Sequence, residues 1–283
     1  MAPDLSVLRA MGKTKDGEFP RIDWRTPDPA PFHAVFEEIK DDIAQGMYQK
    51  SVPVISEYGV LQEGSWASVL GRLERLPAAL FCYGYQFGGS GCLGATPELL
   101  LAKHGTRLET MALAGTAKAG EVEAFEEDPK EISEHEYVAN YLCKKLADLG
   151  EVRREPRQAL KLGRIAHLLT AIHVQLEQPN DLNDLIRYLH PTPALGTLPR
   201  EVATLERLRA LRRRLQAPPR FGAPFGAWLE GSFHAVVSIR NIIWENNDVF
   251  LSAGCGVIEP SVAGKEWKEL RLKQATVKEI LGL

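Results

Sequence analysis

Residues 225–254 read FGAWLEGSFHAVVSIRNIIWENNDVFLSAG. Apolar residues alternate with small or polar ones in three segments of this stretch, at 225–229, 235–243 and 249–254. A period of two is typical of strands that bury one face, and turn residues such as Gly231 and Asn246 separate the segments. The stretch therefore predicts antiparallel strands joined by short turns.

Outside this stretch, helical and strand patterns come in clusters and do not alternate one by one. Helical spacing of apolar residues predicts helices at 31–46, 66–76, 129–149, 163–176, 180–189, 200–215 and 263–281. Further strands are predicted at 51–56, 79–87, 91–102 and 107–115. Such clustering favours an α+β fold with large antiparallel sheets in a single domain over residues 31–283. Residues 1–30 are polar and interrupted by prolines, which predicts an irregular N-terminal arm.

The composition limits the classes of function. The 283 residues carry a formal net charge of -3, with 45% hydrophobic and 25% charged residues, so no basic surplus indicates a nucleic-acid partner. The four cysteines form no CxxC pair, which is typical of reduced thiols. No leader pattern and no apolar run of membrane-spanning length occurs in the sequence, so we expect a cytoplasmic protein without a membrane partner.

Two predicted helices each carry a pair of carboxylates at a spacing of three. Glu131 and Glu134 share one face of the 129–149 helix, and Glu266 and Glu269 share one face of the last helix. Together they could form the oxygen-rich site that Mg²⁺ prefers. The alternative is that both pairs lie on ordinary solvated helix faces.

The order of several short motifs along residues 30–283 resembles that of the chorismate-utilising enzymes. This group includes isochorismate synthase, salicylate synthase and the first components of anthranilate and aminodeoxychorismate synthases. The motifs are Tyr48-Gln49-Lys50, Ala95-Thr96-Pro97-Glu98-Leu99, Ala112-Leu113-Ala114-Gly115-Thr116, Lys130-Glu131-Ile132-Ser133-Glu134-His135, Leu189-His190-Pro191-Thr192-Pro193-Ala194, Leu198-Pro199-Arg200, Ser238-Ile239-Arg240, Ala253-Gly254-Cys255-Gly256-Val257-Ile258, Glu266-Trp267-Lys268-Glu269 and Lys273. The resemblance implies a layered α/β sandwich built on large antiparallel sheets. Family members usually carry a longer N-terminal portion, so the chain resembles a minimal catalytic core.

The resemblance also implies roles for individual residues. Lys50 is expected to be the base that activates water, and Glu98 the acid that protonates the leaving hydroxyl. Magnesium is the expected cofactor, with Glu134 and Glu269 as its nearer ligands and Glu131 and Glu266 in support. The substrate, chorismate, is expected to contact Gly115, Thr116, His167, Ala194, Arg240, Gly254, Gly256 and Lys273. The residues alone leave other interpretations open: an exposed Lys50 and Glu98, a core histidine at His167, and glycines in turns or bulges.

Within the family, the sequence favours an isomerase over a lyase. Lysine at Lys50 is typical of members that add water, whereas the amine-incorporating members carry glutamine there. Ala114 stands where aminodeoxychorismate synthases often have lysine, and Ala194 where pyruvate-releasing members commonly have threonine. Isochorismate synthase is therefore the predicted activity, with a pyruvate-releasing salicylate synthase or an amine-transferring synthase as the alternative. No obligatory amidotransferase partner is expected.

Two positions depart from the family pattern: Phe221 stands where a tyrosine is common, and Cys255 lies between two glycines. The sequence leaves open whether the product enters menaquinone biosynthesis, siderophore biosynthesis or another route.

Overall fold

The computed structural model describes residues 18–73 and 75–283. Strands and helices follow one another in clusters along this part of the chain. They are β1 Arg21–Arg25, α1 Ala30–Ala44, β2 Lys50–Ser51, β3 Val54–Glu63, α2 Ala67–Leu73, β4 Phe81–Phe87, β5 Ser90–Thr96, β6 Leu99–His104, β7 Arg107–Lys118, α3 Val122–Glu127, α4 Pro129–Leu146, β8 Gly150–Arg154, β9 Gln158–Leu162, β10 Ile165–Leu176, α5 Leu182–Leu189, β11 Thr197–Leu198, α6 Val202–Arg214, β12 Pro224–Leu229, β13 Ser232–Val237, β14 Asn241–Glu245, β15 Asp248–Gly254 and α7 Ala263–Leu281.

Two large antiparallel sheets form the centre of the fold. The first has six strands in the order β1-β3-β15-β14-β5-β4, and the second has the order β12-β13-β6-β7-β10-β8, with β9 also paired to β10. The short strands β2 and β11 form a separate pair, in which Lys50 lies opposite Leu198. The predicted α+β class with large antiparallel sheets is confirmed.

The two longest helices pack on different sheets. Helix α4 contacts β7 and β10 of the second sheet, and helix α7 contacts β15 and β5 of the first. Fully buried residues such as Leu142 and Leu146 attach α4 to its sheet, while Leu270 and Leu281 do so for α7. Because the faces carrying the paired glutamates turn toward each other, this packing brings both pairs to one region. Among the described residues, none of the helices has the length and apolar character needed to cross a membrane.

Several sequence-based predictions about local structure are wrong. The predicted helix at 163–176 is strand β10, whose residues are buried on both sides for much of its length. A continuous apolar run of this kind does not distinguish a central strand from a buried helix. The predicted strand at 235–243 is two strands, β13 and β14, separated where Arg240 takes a φ of 56°. The predicted strands at 51–56 and 91–102 are likewise each divided, the first between β2 and β3 and the second between β5 and β6.

A further wrong prediction concerns the N-terminal arm. Residues Arg21–Arg25 were expected to be irregular, but they form β1 at the edge of the first sheet, paired with β3. Cross-strand pairing with an existing sheet edge provides order that the local sequence does not indicate. Residues 1–17 of the predicted arm lie outside the described residues.

Candidate functional site

A cavity of about 640 Å³, including its mouth, lies where the two sheets meet the loops after α5 and β13. Most residues predicted to be catalytic or substrate-binding line this cavity, although they come from widely separated parts of the chain. They are Glu98, Gly115, Thr116, His167, Ala194, Arg240, Gly254, Gly256 and Lys273, joined by Glu134 from the predicted metal ligands. The sequence motifs therefore converge on one place in the fold.

Glu98 occupies the turn between β5 and β6, but it is not an exposed turn residue. Only 5% of it is accessible to solvent, and its backbone N–H donates to Thr96 Oγ1 at 3.2 Å. Burial raises the pKa of the Glu98 carboxyl to about 7, against the opposing charges of Lys50, Arg240 and Lys273. A carboxyl group with this pKa can hold a proton at neutral pH and release it to a ligand in the cavity.

Lys50 is fully buried, which excludes the interpretation of an exposed strand-start lysine. Its Nζ lies 3.0 Å from Glu134 Oε1, close enough for an ion pair, although the angle is not that of a hydrogen bond. The pairing of β2 with β11 and with Val257 fixes the backbone at this point. Lys50 is not among the residues that line the cavity, whereas Glu134, its ion-pair partner, is.

At two of the predicted glycines, a glutamate side chain lies too close to the backbone for a Cβ atom to fit. A Cβ at Gly256 would lie 2.0 Å from Glu134 Oε1 and 2.6 Å from Lys50 Cε. Gly115 has a φ of 77°, and a Cβ there would lie 2.9 Å from Glu131 Oε2. At both positions a larger residue would therefore push a glutamate out of place.

The four predicted metal ligands meet between α4 and α7, and a lysine lies among them. Lys130 Nζ is 2.9 Å from Glu131 Oε1, 3.2 Å from Glu134 Oε2 and 3.3 Å from Glu266 Oε1. Glu134 and Glu266 are buried, so the interpretation of solvated helix faces is wrong for these two. Lys130 belongs to one of the motifs, but the sequence predicts no role for it. Its i, i+4 spacing to Glu134 was the available signal.

Glu269 lies beside Lys273, the second lysine at this end of the cavity. Lys273 Nζ donates to Glu269 Oε1 at 2.5 Å and to the Gly254 carbonyl at 2.8 Å. Thus the Gly254 carbonyl accepts a hydrogen bond from Lys273, while the predicted contact of Gly254 with the substrate stays a prediction. Lys273 also supplies positive charge near Glu98 and Glu134.

The carboxylates differ in pKa because their neighbours differ. Burial alone would raise the pKa of Glu134, but Lys50 and Lys130 hold it at about 2. Burial and the charge of Glu269 raise the pKa of Glu266 to about 8, and burial raises that of Glu131. The lysines therefore stabilise the ionised form of Glu134 more than the ionised forms of Glu266 and Glu131.

The donor chemistry of this cluster fits a hard divalent cation. Carboxylate oxygens are the protein ligands that Mg²⁺ takes, and Glu266 Oε2 is buried without a hydrogen-bond partner in the part of the chain that is described. In residues 18–73 and 75–283, however, no group of three or more histidine, cysteine, aspartate or glutamate side chains is arranged to hold a metal ion as it stands. The carboxylates predicted as ligands lie close together, but they are arranged around the Lys130 ammonium.

His167 lies on β10, and its hydrogen bonds determine which ring nitrogen carries the proton. Nδ1 is 2.8 Å from the Gly115 carbonyl, which can only accept, so Nδ1 must donate. Nε2 then accepts from Arg240 Nη2 at 2.7 Å. Burial and the charges of Arg240 and Lys273 lower the pKa of His167 well below its usual range, so the ring is neutral.

Arg240 presents a cation to the cavity from a strained backbone. Its φ of 56° lies in the left-handed region, and the residue is 8% exposed. Burial lowers the pKa of its guanidinium to about 10, which leaves it charged at neutral pH. Nη2 is held by His167, whereas the buried Nη1 has no hydrogen-bond partner among the described residues. A carboxylate in the cavity would satisfy this free donor.

The cavity wall also contains Ala194, where pyruvate-releasing members of the family commonly have threonine, and Phe221, where a tyrosine is common. Ala194 and Phe221 both line the cavity, so neither contributes a hydroxyl there. Cys255 is 1% exposed and lies in the core beside α7 instead of facing the cavity.

Comparisons with known proteins agree with this arrangement. A family described as chorismate binding enzymes matches residues 10–282. The salicylate biosynthesis isochorismate synthase of Pseudomonas aeruginosa is 32% identical over 222 residues, covering 74% of this chain and 45% of the relative. An isochorismate synthase of Bacillus subtilis is 30% identical over 216 residues, covering 71% of this chain and 45% of the relative. The chain thus spans about half the length of the curated relatives it matches.

A solved structure gives the same picture of the fold. The menaquinone-specific isochorismate synthase from Escherichia coli superposes with a TM-score of 0.76 at 25% sequence identity. The match covers 94% of this chain and 63% of that one. The layered sheets are therefore an arrangement that this chain shares with a larger protein.

Proposed function

Because the chain belongs to the family of chorismate-binding enzymes, we propose that it is a magnesium-dependent isochorismate synthase whose cavity binds chorismate. The proposal is supported by the relatives of Pseudomonas aeruginosa and Bacillus subtilis, both of which bear that name. The observation that carries it is the buried Glu98, whose pKa of about 7 suits a proton donor at neutral pH.

The proposed reaction needs a base and an acid acting on one ring. Water adds at C2, the ring double bonds shift, and the C4 hydroxyl leaves. Lys50 takes the proton from the attacking water, and Glu98 gives its proton to the departing hydroxyl, which leaves as water. Glu98 therefore starts the forward reaction with its proton, which its pKa of about 7 allows at neutral pH. In the reverse direction the two residues exchange roles.

Cations around the cavity provide sites for the two carboxylates of chorismate. The free Nη1 of Arg240 suits the enolpyruvyl carboxylate, since a guanidinium matches the planar geometry of that group. His167 holds the other side of the guanidinium, so Arg240 meets the substrate in a fixed orientation. Thr116, whose Oγ1 lies 3.2 Å from His167 Nδ1, adds a hydroxyl on the same wall.

Magnesium, in this proposal, is held by Glu134 and Glu269 with support from Glu131 and Glu266. When bound, it would neutralise the ring carboxylate of the substrate and orient it as a Lewis acid. The protein's own part is to bring carboxylates from α4 and α7 together and to keep Glu134 ionised through Lys50 and Lys130.

The alternative activities, release of pyruvate or transfer of an amine, receive less support from this cavity. Ala194 and Phe221 line it with a methyl group and a phenyl ring, so neither offers a hydroxyl to orient the side chain for elimination. The buried lysine at position 50 favours water over ammonia as the nucleophile in this family.

Incubating the purified protein with chorismate and MgCl₂ and separating the products by chromatography tests the proposal. The expected product is isochorismate, in a reversible mixture with chorismate. Accumulation of salicylate, or of anthranilate when ammonium is supplied, would replace the proposal by one of the lyase alternatives.

A further inference from the structure

The Lys130 side chain occupies the centre of the carboxylate cluster. Its Nζ lies within 3.3 Å of oxygens from Glu131, Glu134 and Glu266, which come from two different helices. The side chain is 19% exposed, so the amine is covered by protein without being sealed from solvent. One ammonium thus bridges α4 and α7 at the place where a shared divalent cation would lie.

An ammonium at the position of Lys130 in its helix costs free energy unless the nearby carboxylates offset that cost. Asp128 caps α4 by accepting from the backbone N–H groups of Lys130 and Glu131, so Lys130 lies in the first turn. A cation at a helix N-terminus is repelled by the helix dipole. Burial would also lower the pKa of Lys130, but the surrounding glutamates raise it above its usual range. The ion pairs with the cluster are therefore what holds the ammonium in place.

We infer that the Lys130 ammonium is the built-in counter-ion of the carboxylate cluster, and that a divalent cation binds only by displacing it. This inference rests on the proposed magnesium dependence and goes beyond it by naming the group that competes with the metal. The lysine stays protonated and turns toward solvent, which its partial exposure permits. No covalent step is involved.

The structure gives a reason for such an arrangement. Without a counter-ion, Glu131, Glu134 and Glu266 would repel one another across a poorly solvated interface between α4 and α7. Lys130 keeps these helices together in the metal-free protein, at the expense of metal affinity. When Lys130 moves away, the oxygens of three glutamates become free at once. These oxygens can then form a set of metal ligands that the metal-free arrangement lacks.

Titration calorimetry with MgCl₂ tests the competition directly. Lys130→Met removes the charge and keeps most of the side-chain volume, and Lys144→Met, at an exposed position on the same helix, is the matched control. We expect the Lys130→Met variant to bind Mg²⁺ about tenfold more tightly than the unmodified protein, equivalent to about 1.4 kcal/mol. The control should bind as the unmodified protein does.

The same variant should be less stable without metal and should regain stability with it. We expect a lower melting temperature for Lys130→Met in chelator, and a larger increase on adding MgCl₂ than for the control. Equal or weaker Mg²⁺ binding by Lys130→Met would overturn the displacement inference and leave the magnesium proposal intact. Absence of Mg²⁺ binding by all three proteins would overturn both.

A second measurement avoids the variant altogether, should it fail to fold. The unmodified protein is treated briefly with an amine-acetylating reagent, with and without saturating MgCl₂ at equal ionic strength, and the peptides are quantified by mass spectrometry. We expect acetylation of Lys130 to rise several-fold with Mg²⁺ while that of Lys144 stays constant. Unchanged or slower acetylation of Lys130 in protein that binds Mg²⁺ would overturn the inference.

Discussion

Replacing Glu98 by glutamine should slow catalysis strongly and at the same time make the protein more stable at high pH. The Glu98→Gln variant keeps the size of the side chain but has no acidic proton to give. General acids of this kind contribute about 10²–10⁴-fold to rate, so turnover of chorismate should fall by that factor. The residual rate should also lose any pH dependence that arises from Glu98.

The effect on stability follows from the pKa of Glu98 and has a definite sign. Burial raises this pKa from the ordinary value of 4.5 to about 7, so the folded state holds the proton more tightly than the unfolded state. Below about pH 4.5 both states are protonated and Glu98 contributes nothing to the pH dependence. Between that pH and about 7 the unfolded state ionises first, and stability is progressively lost. Above about pH 7 the full cost, on the order of 3 kcal/mol, applies.

Unfolding by urea at several pH values between 5 and 8.5 measures this cost. The free energy of unfolding of Glu98→Gln, relative to the unmodified protein, should rise with pH and level off above about 7. Glu37→Gln, at an exposed position on α1, is the control and should show no such trend. A rate within tenfold of normal, or a stability difference that does not change with pH, would refute the account of Glu98.

Three further predictions follow from the site. Removing Mg²⁺ with excess chelator, or changing Glu134 or Glu269 to alanine, should abolish turnover in protein whose circular dichroism spectrum is unchanged; full activity in chelator would exclude the metal role. Lys50→Ala should lower turnover by about 10²–10⁴-fold, and a near-normal rate in a steady-state assay would remove Lys50 from the role of base. His167→Gln should retain most activity, because an amide can donate to the Gly115 carbonyl and accept from Arg240, whereas His167→Leu should raise KM more than it lowers kcat. Equal kinetic constants for the two His167 variants would contradict a positioning role.

The sequence predicted those parts of the fold in which local pattern and tertiary context agree. The last helix was predicted at 263–281 and is observed at Ala263–Leu281, since its apolar face is periodic and Gly282 ends it with a φ of 77°. Strand β10 was mistaken for a helix because its apolar run is continuous. Strand β1 was missed because its order comes from pairing with β3, which lies more than thirty residues further along the chain.

In the site, too, the sequence predicts what depends on local pattern and misses what depends on tertiary context. The ordered motifs predicted most of the polar residues that line the cavity, but the environment of each side chain depends on distant parts of the chain. Glu98 follows a proline in what reads as an exposed turn, and only the surrounding sheets explain its burial and raised pKa. The position of Lys130 between α4 and α7 requires the packing of two helices far apart in sequence. The spacing of residues within each helix predicted the carboxylate pairs, but it did not predict that the Lys130 ammonium lies among them.

The most direct test of the central claim is to start the reaction from both sides. Purified protein with MgCl₂ is given either chorismate or isochorismate, and the composition is followed by chromatography while pyruvate is measured with a lactate dehydrogenase assay. For an isochorismate synthase we expect both reactions to reach the same mixture of chorismate and isochorismate, with pyruvate at background. Different end points, or pyruvate formed in proportion to the substrate consumed, would contradict it.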